Sequence, residues 1–134
     1  MTRTDLELLK DAEKRIFAKK LELEALRYKA SGAGAIRYDK DSVQTSPQDY
    51  LTLAIADIVE LEKQIAEDEI ALEDLKGKTY SVIRKIENPE YRALLEWYYL
   101  NDRPMLEIAN KLNVSERTAY YLRDDALEAF EAVP

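Results

Sequence analysis

Residues 105–124 read MLEIANKLNVSERTAYYLRD and concentrate the side chains best suited to hydrogen bonding with an extended polar partner. Arg117 carries a planar fork that satisfies two acceptors at once, as on the edge of a guanine, and Glu116 is an acceptor for a cytosine amino group. Ser115 and Thr118 add short hydroxyls beside them. Tyr120 and Tyr121 offer hydroxyls to phosphates or flat faces to thymine methyls. Lys111, Arg103 and Arg123 are cations of the kind that hold phosphates, positioning a protein without reading bases. The same residues have a plainer reading: Arg117 and Arg123 as solvated helix charges, one tyrosine packed against Trp97 or Tyr98, and Asp124 and Asp125 as anions that would repel phosphate.

Other chemistries find little support. Cysteine and histidine are both absent, which removes disulfides, the usual zinc ligands, thiol nucleophiles and the commonest general base. The clusters Glu60/Glu62, Glu67/Asp68/Glu69 and Glu73/Asp74 sit at positions expected to be a solvated helix face. With no phosphate-binding glycine loop and no nucleophile–base set, the chain reads as a non-enzyme with no cofactor and no metal.

The elements that must position Arg117 and its neighbours follow from local rules. Two helices are expected at 105–112 and 116–131, crossed steeply over a short turn. Ala109 is small where they nearly touch, while Ile108, Leu112, Val114 and Leu122 plug the shared core. Asn113 is the best substitute for glycine where the backbone turns left-handed. Ser115 caps the second helix, with Glu116 set against its dipole. Upstream, Asn88-Pro89-Glu90 starts a helix running to about Leu100, with Tyr91, Leu94, Leu95 and Tyr98 on one side, and Asn101–Pro104 is a turn.

The N-terminal part is patterned for long helices. Over 5–29, Leu9, Ala12, Ile16, Leu23, Leu26 and Ala30 form one stripe, broken by Lys19, and Phe17, Leu21 and Tyr28 form a flanking line. Residues 31–46 (SGAGAIRYDKDSVQTS) break the period and read as a mobile connector. Ser46, Pro47 and Asp49 signal a new helix start. A heptad repeat follows, with Leu51, Ile58, Ile65, Leu72, Thr79 and Ile86 at one core position and Ala54, Leu61, Asp68, Leu75 and Val82 at the other. Gly77 is a candidate bend. Leu51, Ile58, Leu61, Ile65, Leu72 and Leu75 are the expected oligomerisation residues, and Asp68 and Lys19 either set register or reach solvent. The fold class is all-α: a long helical hairpin or coiled coil over 1–77, then a small helix-turn-helix domain over 78–134.

A chain of 134 residues with a net charge of −7 is an unusual nucleic-acid binder. The acidity is uneven, however. Residues 1–77 hold 12 basic and 17 acidic side chains, whereas 78–134 hold 8 and 10. Charges interrupt every apolar stretch, so neither a membrane span nor a signal peptide is expected, and the cytoplasm of a bacterial cell is the expected compartment.

With these residues in hand, the stretch from Asn88 to Phe130 resembles region 4 of bacterial sigma factors. The resemblance rests on Glu107-Ile108-Ala109, the Val114-Ser115 turn, Arg117-Thr118 and the closing Ala126-Leu127 pair. The overall layout resembles the ArpU/RinA-like group from phages and prophages of Gram-positive bacteria, which implies an activator of late or packaging genes. Asn113 departs from the usual glycine, and Ala119-Tyr120 from the usual branched apolar and basic pair, so no target sequence carries over. Nothing resembles the promoter-melting region of a sigma factor. The partners so implied are double-stranded DNA, RNA polymerase and a second copy of the chain. Two other readings stay open: a small terminase subunit, and an interaction adaptor acting on polymerase or a repressor.

Overall fold

The computed structural model describes residues 1–31 and 47–134, with side chains from residue 50 onward in the second stretch. Among the described residues the chain is helical throughout, with no strand. The helices are α1 (Arg3–Ala30), α2 (Pro47–Ile83), α3 (Pro89–Leu95), α4 (Met105–Leu112) and α5 (Glu116–Glu131), and a π-helical turn, Glu96–Leu100, prolongs α3. The connector expected from residue 32 on, and the cap expected from Ser46 and Asp49, lie outside the described residues. No helix among the described residues is long and apolar enough to cross a membrane.

The residues group into two compact units, Lys14–Ile70 and Met1–Glu13 with Ala71–Pro134. In the first, α1 and α2 run antiparallel. Lys19 pairs with Asp68 at 2.5 Å, Lys20 with Glu69 at 2.8 Å and Arg27 with Glu62 at 2.9 Å, so from the first two pairs to the third the numbers rise on α1 and fall on α2. The two polar intruders in the apolar stripes, Lys19 and Asp68, thus meet each other. Both remain partly exposed, which limits the pair to about 1 kcal/mol or less. Leu23, Leu61 and Ile65 are buried together, with Ile58 and Leu26 packed alongside. These members of the heptad seam therefore face α1 of their own chain, and Leu51 stays exposed. Phe17, Leu21 and Tyr28 are all more than half exposed.

The second unit joins the first turns of α1 to everything from residue 71 on. Leu6 shares one buried core with Ile83, Ile86, Leu94, Leu95, Tyr99, Met105, Ile108, Ala109, Ala119, Ala126, Leu127 and Phe130. The sequence divides the chain at 77/78 instead, because no local pattern tells Leu6 which distant helices will cover it. Arg3 also reaches the last turn of α5, donating to the Glu131 carboxylate at 2.8 Å and holding that carboxyl below its usual pKa. Helix α2 runs through Gly77 and stops at Ile83, so Ile86 lies past the helix end. Arg92 secures that end by donating to the Ile86 and Glu87 carbonyls.

The helix expected to run from Pro89 to about Leu100 changes pitch part-way. Asn88 caps its start, accepting from the Glu90 N–H at 2.8 Å. From Glu96 the turn widens, and the Asn101 N–H bonds the Glu96 carbonyl five residues back. An α-helix would put both Tyr98, four residues after Leu94, and Tyr99, four after Leu95, on the core side. With the wider turn Tyr99 is fully buried and Tyr98 half-buried.

Two measurements test this packing. A Cβ at Gly77 would meet nothing within 4 Å, and alanine costs the helix less backbone entropy. Gly77→Ala is expected to stabilise the protein by about 0.5–1 kcal/mol, read from the urea midpoint. Burial first, and then the Glu7 carboxylate 3.4 Å away, push the Tyr99 phenol well above the ordinary tyrosine pKa. The unfolded phenol ionises near about pH 10, so stability is full below that pH and falls as pH rises beyond it. Tyr99→Phe should flatten this alkaline decline in unfolding free energy measured against pH.

Candidate nucleic-acid interface

The turn between α4 and α5 is built from three residues. Asn113 takes a left-handed backbone, φ 58° and ψ 41°, at the end of α4. An amide side chain tolerates that conformation better than other non-glycine types do. The Val114 N–H then bonds the Ala109 carbonyl at 3.0 Å, closing the helix end. Ser115 is extended and caps α5, its hydroxyl accepting from the Thr118 N–H at 3.1 Å. Ala109 and Ala119 are both fully buried, as expected where helices approach closely, and Val114 and Leu122 pack against the same core. Asn113 and Ser115 thus take the backbone states that the sequence assigns to them.

This turn presents the first turns of α5 to solvent. Glu116, Arg117, Thr118, Tyr120 and Tyr121 are exposed, with Ser115 just before them. Arg117 lies along its own helix, its guanidinium donating to the Tyr121 hydroxyl at 3.3 Å. That contact holds the fork outward while leaving most of its donors for a partner. Lys111 is exposed at the end of α4, its ammonium 4.8 Å from the centre of the Trp97 ring. Stacking on an aromatic face fixes such a cation without neutralising it.

Two of the expected phosphate contacts are placed otherwise. The Arg123 side chain is mostly buried, its guanidinium 5.1 Å from the Tyr120 ring centre and 5.9 Å from that of Tyr98. Its Nε is buried with no hydrogen-bond partner among the described residues. The Arg123 guanidinium thus lies against these tyrosines, with the exposed Asp124 carboxylate 3.5 Å from it. Helical periodicity carries this signal, since Arg123 lies four residues after the buried Ala119 and three before the buried Ala126. Arg103 is exposed, but Glu107 takes its charge at 2.7 Å.

The tyrosines hold a further cation that the sequence reading passed over. Lys10 lies 3.8 Å from the Tyr98 ring centre and pairs with Asp102 at 3.3 Å. It lines an open depression with Tyr98, Arg103, Leu106, Glu116 and Tyr120, beside the start of α5. No local pattern could have placed it there, because it comes from the other end of the chain. Beyond Tyr121, the exposed face of α5 turns acidic, with Asp124, Asp125 and Glu128. The exposed Arg117, Thr118, Tyr120 and Tyr121 thus all lie in the first two turns of the helix.

The acidic clusters of α2 serve the hairpin: Glu62, Asp68 and Glu69 each hold a basic residue of α1. Among the described residues, no group of three or more acids is arranged to hold a metal ion.

Residues 44–131, which take in α2 and every later helix, match the model of the DUF1492 family, described as a protein of unknown function. The chain belongs to that family. No curated protein and no solved structure matches it.

The turn makes a sharp pair of expectations. Asn113→Gly should leave stability unchanged or slightly raised, whereas a β-branched Asn113→Val should lower it by at least about 1–2 kcal/mol, the cost of a left-handed residue. Ser115→Ala should cost about 1 kcal/mol through the lost cap. Thermal unfolding followed by circular dichroism reads all three.

Proposed function

We propose that this DUF1492 chain is a sequence-specific DNA-binding transcription regulator, an activator of phage late or packaging genes, that works as a homodimer inside the bacterial host cell. The observation that carries the reading is the left-handed, serine-capped turn that holds Arg117, Thr118, Tyr120 and Tyr121 exposed at the start of α5. The N-terminal residues of the second helix are those that a helix-turn-helix inserts into the major groove. On this reading Arg117 contacts base edges, with Glu116 and the tyrosines beside it, and Lys111 holds a phosphate. The regulatory setting, including contact with RNA polymerase, rests on the resemblance of residues 88–130 to sigma region 4 and of the layout to the ArpU/RinA-like group.

Asp124, Asp125 and Glu128 favour a second reading, in which α5 meets a basic protein surface and the chain is an adaptor. DNA binding separates the two. The pure protein should retain one fragment from a set tiling the phage or prophage genome that carries its gene, at near-physiological salt with competitor DNA present. Arg117→Ala should then cost about 1–3 kcal/mol and relax preference at one base pair. Lys111→Ala should weaken all fragments alike and reduce the salt slope by about 1. If a folded protein retains no fragment, direct DNA reading fails and the adaptor reading takes its place.

A further inference from the structure

Both helices of the Lys14–Ile70 unit carry a second apolar stripe outside the hairpin's own core. On α1 it consists of Phe17, Leu21 and Tyr28, which are 64%, 52% and 59% exposed. On α2 it consists of Val59 and Ile70, 62% and 72% exposed, with exposed Ala66 between them. The spacings mirror each other: four then seven residues along α1, seven then four along α2. That is what antiparallel neighbours need in order to run in step. The Lys19–Asp68 pair sets one step, and Lys20–Glu69 and Arg27–Glu62 another two residues away, within the latitude of long side chains. On the first of these steps Phe17 comes level with Ile70, Leu21 with Ala66 and Tyr28 with Val59. At about 3.6 residues per turn, the two stripes fall on the same broad side of the antiparallel pair. The result is one apolar face two helices wide, on a unit whose own core is only a thin seam.

The charges say what covers it. Residues 14–30 hold six basic and two acidic side chains, and residues 50–70 hold one basic and six acidic. A second copy that lays its α2 across α1, and its α1 across α2, brings opposite signs together at both crossings. Stacking α1 on α1 would instead set two strongly basic segments against each other. We infer that this face is the seam of a homodimeric four-helix bundle in which α1 of each copy lies on α2 of the other, about a two-fold axis parallel to the hairpin. The same step then places Leu21 against the partner's Ala66, a large side chain over a small one. The heptad residues Leu61 and Ile65 stay within each hairpin. The inference rests on the homodimer reading and gives it a geometry, and it is independent of what α5 binds.

Because the chain has no cysteine, single cysteines report the arrangement directly. Full-length Leu21→Cys and Ala66→Cys, both at exposed positions, are mixed in denaturant, refolded together and oxidised. Wild-type protein should have twice the chain mass in solution. The mixture should give a covalent dimer with one chain of each kind, and neither variant alone should cross-link appreciably, because identical residues lie diagonally across the bundle. A wild-type monomer overturns the dimer itself and gives the face to another partner. A dimer in which Leu21→Cys chains link to each other, or in which the mixture gives no link, overturns the geometry while leaving the dimer standing. As a second arm, Phe17→Glu with Ile70→Glu should yield a monomer of unchanged helix content, and persistence of the dimer would again overturn the seam.

Discussion

Three residues separate α4 from α5, too few to turn the chain gently. One of them must take the left-handed backbone, and Asn113 does so at a position where most side chains would be strained. Much of the second unit depends on that reversal. It lets Ala109 and Ala119 approach without side chains between them, and it points Ile108 and Phe130 into a single core. It also leaves the Thr118 N–H to be satisfied by Ser115 rather than by a neighbouring helix. Any change in the reversal would swing the start of α5, and Arg117 with it, relative to the core that holds the rest of that helix.

Charge plays a different part from packing in this molecule. Most of its ion pairs have at least one partner about half exposed, where solvent and salt screen them and each adds little to stability. Their value lies in geometry. In the hairpin they set basic residues of α1 against acidic residues of α2 and narrow the antiparallel steps that the apolar stripes allow. Around the turn between α4 and α5 the arrangement is reversed: among the described residues, Arg117 and Lys111 lie against aromatic groups and pair with no carboxylate. Their charge is therefore held in place and still available to a partner.

What the sequence made readable was what neighbouring residues decide among themselves. A turn ending at Pro104, the Ser115 cap and apolar period three-four placed α4 and α5 on their bounds, and Asn113 and Ser115 in their backbone states. What escaped was decided at a distance. Leu6 and Lys10 belong with residues some ninety positions on, and no short window contains that information. The heptad in α2 was visible, but a heptad does not say whether its partner is the same chain or another, and here Leu61 and Ile65 turn to Leu23. Arg123 looked like a free cation because its type outweighed its place in the helical period.

The wide turn at Glu96–Leu100 bears on how chain length can vary in this part of the molecule. A π-helical turn accommodates one more residue than an α-helical turn over the same stretch of axis. Shortening the chain by one position there would let the segment relax to ordinary pitch, and the ring now at Tyr99 would arrive four residues after Leu94, still on the core side. The residues before and after would keep their registers. Elsewhere in these helices a one-residue deletion turns every later side chain by more than a quarter of a circle and dismantles the core. The segment from Glu96 to Leu100 is thus a built-in slack point, where a one-residue deletion can be absorbed without moving α4 and α5.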